Sequence, residues 1–187
     1  MGDEVKFGHY EQDGDPEAKE SIAWIVIGVK DDSMELLSRD ALDCQPYTRI
    51  NRKSNWQNSD LRSWLNEEFL QEAFSEEEQQ ALTERTTEGK SVRDLVFILS
   101  ERELAAAFPK PNQRKAQLTA YASAKDGWSN GAGYCYFWLR GSTYGDRNRV
   151  SYVSSNGATE SYYGNAGRRC VRPAINVDLS KFVPAED

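Results

Sequence analysis

The first quarter of the chain alternates between apolar runs and short polar breaks. Residues 22–29 (IAWIVIGV) are apolar on both faces of an extended chain, which is typical of a strand inside a sheet. Residues 30–33 are polar and turn-like, and residues 34–37 (MELL) read as a returning strand. The pattern predicts a β-hairpin.

An amphipathic helix is predicted next, in the segment WQNSDLRSWLNEEF. Apolar side chains recur there at i, i+3, i+4 and i+8, which places them on one face of a helix. They are Leu61, Trp64, Leu65 and Phe69. Asn58 or Ser59 is the predicted N-cap. Capping boxes of the form Ser-x-x-Glu at Ser75 and Ser100 predict two further short helices, the second of which is stopped by Pro109.

Strands dominate the second half. Asn156-Gly157 is the strongest hairpin signal in the chain, and Pro173 indicates a sheet edge or a bulge. The predicted strands are residues 95–99, 134–139, 149–153, 159–163 and 170–179. With two or three helices in the first half and strands after them, the pattern favours an α+β fold over a doubly wound parallel sheet.

Length and charge narrow the possible partners. A chain of 187 residues with 39% hydrophobic content predicts a single domain, residues 1–187, with a sizeable core. The net charge of −7 and the isoelectric point of about 4.9 disfavour general nucleic-acid binding. No apolar run approaches membrane-spanning length and no apolar leader is evident, so we expect no membrane insertion. We expect a soluble protein, either cytoplasmic or displayed on a cell or virion surface as part of a larger protein.

The residue types that carry catalysis and metal binding are sparse. His9 is the only histidine, and Cys44, Cys135 and Cys170 are widely spaced, which excludes the usual zinc patterns and His-based triads. Cys135 and Cys170 each lie in a candidate strand and can pair; the alternative is three buried free thiols. We assign no catalytic residue, no metal site and no cofactor.

Residues 141–169 have an unusual composition. They include five serines, five glycines, four tyrosines and three asparagines, but no Leu, Ile, Phe, Met, Trp, Pro, Lys or Gln. Tyrosine offers rigid amphipathic contact area and the small polar residues offer adaptable hydrogen bonding, as in antibody paratopes. Ordinary hairpins and surface loops can have the same composition. Outside this stretch, Trp128 is the best candidate for an exposed aromatic contact.

Motifs along nearly the whole chain resemble a family of bacterial domains with no agreed biochemical activity. They are FGHYEQD, ESIAWIVI, WQNSDLRSWLN, VFILS leading into Glu103, TAYA, WLR and VRPA. This family is similar to the formylglycine-generating-enzyme branch of the C-type lectin fold. Residues 140–144 (RGSTY) and 170–172 (CVR) would occupy the places of its RGGSW-like turn and GFR-like closing strand. The resemblance implies a C-type-lectin-like domain of mostly antiparallel strands.

Some members of that fold are variable proteins of diversity-generating retroelements. Adenine-directed mutagenesis rewrites their C-terminal codons, and AAY codons then never yield Lys, Gln, Glu, Met or Trp. Residues 141–169 lack all of these except Glu160, which would have to be a fixed position. The resemblance therefore implies a displayed binding surface within residues 141–169.

Our leading hypothesis is a ligand-binding module whose ligand is a protein. The predicted contacts are Tyr144, Asp146, Asn148, Tyr152, Ser154, Asn156, Tyr162, Tyr163, Asn165 and Trp128. Strand alternation sends Ser151 and Tyr152 to opposite faces, and likewise Tyr162 and Tyr163, so at least one of these tyrosines is expected in the core. Arg140 and Arg172 are expected to brace the frame.

Two alternatives remain open. One is an oxidase related to the formylglycine-generating enzymes that uses Cys135 and Cys170, with Arg168 and Arg169 lowering the pKa of Cys170. The other is a calcium-dependent sugar binder, for which residues 45–47 (QPY) are the nearest match to the required triplet.

Overall fold

A computed structural model describes residues 2–15, 18–87, 92–143 and 146–185, without the side chains of residues 142–147. The fold is α+β and its strand pairing is mostly antiparallel. The strands are β1 Glu4–Tyr10, β2 Glu20–Lys30, β3 Ser33–Ser38, β4 Asp43–Cys44, β5 Arg85–Thr87, β6 Val92–Asp94, β7 Val96–Phe97, β8 Phe137–Thr143, β9 Asp146–Val153, β10 Thr159–Tyr163, β11 Cys170–Val171 and β12 Ala174–Asp178. The helices are α1 Asp60–Trp64, α2 Leu70–Ala73, α3 Glu76–Ala81, α4 Glu101–Ala107, α5 Pro111–Arg114 and α6 Ala120–Ala124.

The first sheet has the order β1-β2-β3-β12-β7, with every neighbouring pair antiparallel. The predicted hairpin is confirmed as β2 and β3, which pair from Lys30↔Ser33 onward. Strand β1 has no counterpart among the predicted strands. Strand β12 lies between β3 and β7, so the two ends of the chain share one sheet.

The second sheet has the order β10-β9-β8-β11-β4, and only its β11–β8 pair is parallel. The hairpin predicted around Asn156-Gly157 is confirmed as β9 and β10, which close at Val153↔Thr159. Gly157 has a φ of 86°, and an added Cβ would lie 1.8 Å from the Pro111 carbonyl oxygen. A side chain cannot fit there, so this turn requires glycine.

The prediction of one closing strand over residues 170–179 is wrong. The segment divides into β11 and β12, which belong to different sheets. The break falls at Arg172 and Pro173, where proline lacks the N–H that a continuous ladder needs. The chain crosses between the sheets there, and the Pro173 carbonyl accepts a hydrogen bond from Ser38 N at 2.9 Å. Other boundaries also differ. Strand β8 begins later than predicted and runs to Thr143, β9 begins three residues earlier than predicted, and β7 covers only two residues of the predicted strand 95–99.

The amphipathic helix is confirmed. Helix α1, a π-helical segment Leu65–Phe69 and α2 follow one another without a break, and the four predicted apolar side chains are buried. Ser59 is the N-cap of α1, where its side chain accepts from Arg62 N. Both predicted capping boxes form at Ser75 and Ser100.

Polar side chains of this helical segment attach it to strands β6 and β7. Asp94, fully buried, accepts hydrogen bonds from Trp56 Nε1 at 2.8 Å and Arg62 Nε at 2.6 Å. Asn66 accepts from Leu95 N at 3.0 Å and donates to Val96 O at 2.8 Å. These bonds determine where the helix packs on the core.

The core is one continuous cluster of buried apolar residues drawn from both five-stranded sheets and the helices. Its largest fully buried side chains are Trp24, Trp56 and Trp138. Within the part of the chain that the structure describes, no helix is long and apolar enough to span a lipid bilayer.

Candidate functional site

Four aromatic rings surround the guanidinium of Arg169 on one face of the second sheet. Cross-strand partners point to the same face, and Trp138↔Tyr152 and Tyr152↔Glu160 are partners. Tyr136 and Tyr162 follow on this face by alternation. The Arg169 guanidinium carbon lies 4.3 Å from the Tyr162 ring centre, 4.4 Å from Tyr152, 5.2 Å from Trp138 and 5.9 Å from Tyr136. We call these five residues the arginine cradle.

The electrostatics of the cradle depend on its aromatic faces and one tyrosine hydroxyl. Arg169 is only 8% exposed, and no carboxylate pairs with it among the described residues, so the ring quadrupoles are its main compensation. The Tyr152 hydroxyl donates to Glu160 Oε2 at 2.6 Å. Burial and this hydrogen bond raise the pKa of Tyr152, and the Arg169 hydrogen bond opposes them. Arg169, Tyr152 and Glu160 thus form a polar chain that leads to the surface.

Trp128 extends the cradle at its Tyr136 end. Its ring stacks on Tyr136 with centroids 4.4 Å apart and an interplanar angle of 21°. Its backbone N–H donates to the Arg168 carbonyl at 3.1 Å, so the loop that carries Trp128 is held against the segment that carries Arg169. The half-buried Trp128 therefore presents one face outward.

Two neighbouring tyrosines of β10 are the exposed aromatics of the predicted set. Tyr162 and Tyr163 are 44% and 42% exposed, and their rings meet edge-to-face at 5.6 Å. Arg149 lies 6.0 Å and 5.6 Å from their ring centres and donates to Ser161 O at 2.7 Å. Tyr162 thus joins the cradle, and the Tyr163 ring lies against it on the edge strand β10.

Other predicted residues divide between the surface and the frame. Asn165 is exposed and Asn148 is half-buried. Ser154 is buried, and its hydroxyl lies 2.8 Å from Asn156 Oδ1. Asn156 is exposed, but its Oδ1 also accepts from Ala158 N at 2.9 Å, so both side chains hold the β9–β10 turn.

Tyr152 is 6% exposed, which confirms that at least one tyrosine of the set lies in the core. Tyr152 packs beneath the exposed residues of the second sheet, and little of its own side chain is accessible to a ligand. Tyr144 and the side chain of Asp146 lie outside the described residues.

Sequence reasoning missed most of the cradle. In the sequence, Arg169 stands out only as a neighbour of Cys170, and Tyr136 and Trp138 only as part of a predicted strand. Alternation along residues 134–139 (YCYFWL) was the available signal, since it puts Tyr136 and Trp138 on one face. Nothing local links them to Arg169.

Arg140 and Arg172 brace the frame as expected. Arg140 donates to both carboxylate oxygens of Glu103 at 2.6 Å and to Ile98 O at 3.3 Å. Arg172 is 2% exposed and donates to Ser38 O at 2.8 Å. Burial lowers the pKa of Arg172 to about 10.

The three cysteines come together as free thiols. The thiols of Cys135 and Cys44 lie beside that of Cys170, and these neighbours together with burial raise the pKa of Cys170. The expectation that Arg168 and Arg169 lower this pKa is therefore wrong, because the neighbouring thiols and desolvation dominate. Cys135 and Cys170 are buried as expected, whereas Cys44 is half-buried. Among the described residues, no group of three or more His, Cys, Asp or Glu side chains is arranged to hold a metal ion.

Comparison with known proteins identifies a family and no characterised relative. No curated protein and no solved structure matches this chain. A family model described as a domain of unknown function, DUF6273, matches residues 31–179. The match includes β3 to β12 and the whole arginine cradle. The chain therefore belongs to the DUF6273 domain family.

Proposed function

We propose that this domain is a binding module whose ligand, a protein, docks at the β10 edge of the second sheet. The contact surface consists of Tyr162, Tyr163 and Asn165, flanked by Asn148 and Trp128. The pair of half-exposed tyrosines on β10 is the observation that carries the proposal.

The tyrosines suit a binding role because their orientations are already restrained. Arg169 lies under the Tyr162 ring at 4.3 Å, and Arg149 lies beside both rings. A ring that is held in place loses little conformational entropy when a partner covers it. Asn165 adds donor and acceptor groups beside this apolar area, as binding surfaces require.

We further propose that the frame is C-type-lectin-like and that a retroelement diversifies part of residues 141–169. Glu160 supports this proposal. Its carboxylate accepts a hydrogen bond from the hydroxyl of the buried Tyr152 at 2.6 Å, so it belongs to the frame, and a frame residue is expected to stay fixed while its neighbours are diversified. A reverse-transcriptase gene beside a near-copy of the 3′ end that differs at adenines would support it. A neighbourhood with neither would count against diversification and leave the binding proposal standing.

The binding proposal predicts that a surface variant loses its partner while it keeps its fold. We expect a chain that combines Tyr162→Ala, Tyr163→Ala and Asn165→Ala to bind its ligand about thirtyfold or more weakly, since a single anchoring aromatic contributes about 2 kcal/mol. The immobilised domain is offered lysate of the cells that encode it, captured proteins are identified by mass spectrometry, and Kd is measured with the purified partner.

A control uses three apolar residues outside the surface that are more exposed than the two tyrosines. Val29, Ile50 and Val183 are 61%, 65% and 72% exposed, and their combined replacement by alanine should leave both Kd and the melting temperature unchanged. A partner that binds the surface variant as tightly as the parent, or that is lost equally by the control, contradicts the proposal.

A second candidate is the thiol-dependent oxidase, which the contact between the Cys135 and Cys170 thiols favours. The raised pKa of Cys170 opposes it, because the thiolate is the reactive and metal-binding form. If this candidate is correct, the folded chain binds about one Cu(I) per molecule, and Cys135→Ser abolishes that uptake. If the folded chain takes up no copper, the oxidase candidate is rejected.

A further inference from the structure

Cys44 and Cys170 lie directly opposite each other on β4 and β11, although 126 positions separate them along the chain. Directly opposed residues of antiparallel strands have Cα atoms about 4.5–5.5 Å apart. That interval falls inside the range of about 4.4–6.8 Å seen in disulfides. Side chains of directly opposed residues lie on the same face of a sheet, and the Cys44 thiol donates to the Arg169 carbonyl at 3.4 Å, next to Cys170.

We propose that Cys44 and Cys170 form a reversible disulfide by exchange with a low-molecular-weight disulfide, which makes this pair a redox-modification site of the domain. The inference is independent of the proposed binding function.

The difference in burial between the thiols sets the order of events. Cys135 and Cys170 are 1% and 0% exposed, whereas Cys44 is half-buried. An incoming disulfide therefore reaches Cys44 first. The neighbouring Cys170 thiol also lowers the pKa of Cys44, which favours the attacking thiolate.

The exchange proceeds in two balanced steps. The Cys44 thiolate attacks one sulfur of the small disulfide RSSR, which forms a mixed disulfide and releases one RS⁻. Cys170, after losing its proton, then attacks the Cys44 sulfur, which closes the protein disulfide and releases the second RS⁻. Two protein thiols are oxidised and RSSR is reduced to two RSH, with the two protein protons passing to the released thiolates. An excess of a reducing thiol reverses both steps.

The surroundings select Cys44 over Cys135 as the partner of Cys170. Cys135 Sγ donates to Ala116 O at 3.4 Å and lies in the interior, where a bulky oxidant cannot approach. The loop at Gly127 covers Cys170, since a Cβ added there would lie 3.0 Å from Cys170 Sγ and 2.6 Å from Ala122 O. Cys170 is therefore reached only through Cys44.

Oxidised glutathione is the probe for this inference. The folded full chain is incubated with it, blocked with iodoacetamide, digested without reduction and mapped by mass spectrometry. We expect a Cys44–Cys170 linked peptide, a free Cys135, about two reduced glutathiones released per chain, and three thiols again after dithiothreitol. A Cys135–Cys170 linkage, or three reduced thiols in the folded chain, would overturn the proposal.

Serine variants separate the two steps. Cys170→Ser should accumulate glutathione on Cys44, and Cys44→Ser should show neither bridge nor glutathione while folded. Cys135→Ser should still form the Cys44–Cys170 bridge. Oxidation of Cys44→Ser at the parent rate contradicts the proposal, and the peptide map of the parent decides the matter if a buried serine prevents folding.

Discussion

Replacing Asp94 with alanine is expected to lower the free energy of unfolding by about 3–5 kcal/mol, the usual cost of removing one partner from a buried ion pair. The Asp94 carboxylate is fully buried and accepts from Trp56 Nε1, Arg62 Nε and, at 3.2 Å, Thr87 Oγ1. Without it, the indole N–H of the fully buried Trp56 and the Nε–H of Arg62 both lose their acceptor. Urea unfolding followed by circular dichroism measures the loss.

The preceding residue, Arg93, offers a matched control for Asp94. Arg93 is on the same strand, but its ion pair with Glu84 spans 3.4 Å between side chains that are 74% and 57% exposed. Arg93→Ala should therefore change stability by less than about 1 kcal/mol, as exposed pairs do. Equal losses for the two variants would mean that the buried carboxylate is not what joins the helix to β6.

Glu103→Gln is expected to lower the free energy of unfolding by about 2–3 kcal/mol at pH 7. This figure is the pKa difference of Glu103 between the folded and unfolded chains, converted to free energy and reduced because the side chain is partly exposed. Burial alone raises the pKa of Glu103, but hydrogen bonds from Arg140 and Ser100 N and the charge of Arg85 outweigh it, so the pKa falls from 4.5 to about 2. Glutamine still serves the capping box at Ser100, so the variant isolates the charge.

The pH dependence of this effect has a definite sign. A carboxylate whose folded pKa is depressed stabilises the protein above its unfolded pKa and loses that contribution as pH falls through the folded value. The difference in the free energy of unfolding between the parent and Glu103→Gln should thus have its full value above about pH 5. It should decrease between pH 4.5 and about 2. Denaturant titrations across this range measure it.

Glu101→Gln is the control, because Glu101 is an exposed acid in the first turn of the same helix. Glu101→Gln should lower the free energy of unfolding by less than about 1 kcal/mol. A Glu103→Gln effect that persists unchanged at pH 2 would show that the Glu103 charge is not its cause.

Much of the fold could be predicted because its signals are local. Ser59, Ser75 and Ser100 cap their helices through bonds to N–H groups three residues away, so a short stretch of sequence contains both partners. The β9–β10 hairpin follows from Asn156-Gly157 in the same way. The closing segment could not be predicted, because which sheet β11 and β12 join depends on β4 and β3, over a hundred positions earlier.

The candidate site shows the same division. Alternation alone predicts that at least one of the tyrosines is buried. It could not say that Tyr152 is the buried one, because its burial depends on Arg169 and Glu160 on either side of it. Composition marked residues 141–169 as a surface but did not indicate that Ser154 and Asn156 hold the turn.

The sequence by itself determined where α1, α3 and α4 begin, the β2–β3 and β9–β10 hairpins and the supply of tyrosines on β9 and β10. Each of these depends on contacts within a few residues, which the chain makes wherever that segment lies. Only the tertiary structure decided that Tyr136, Trp138, Tyr152 and Tyr162 surround Arg169 and that Cys44 faces Cys170. Those neighbours are set by the pairing of β4, β11 and β8, a register determined by packing across both sheets rather than by any local pattern.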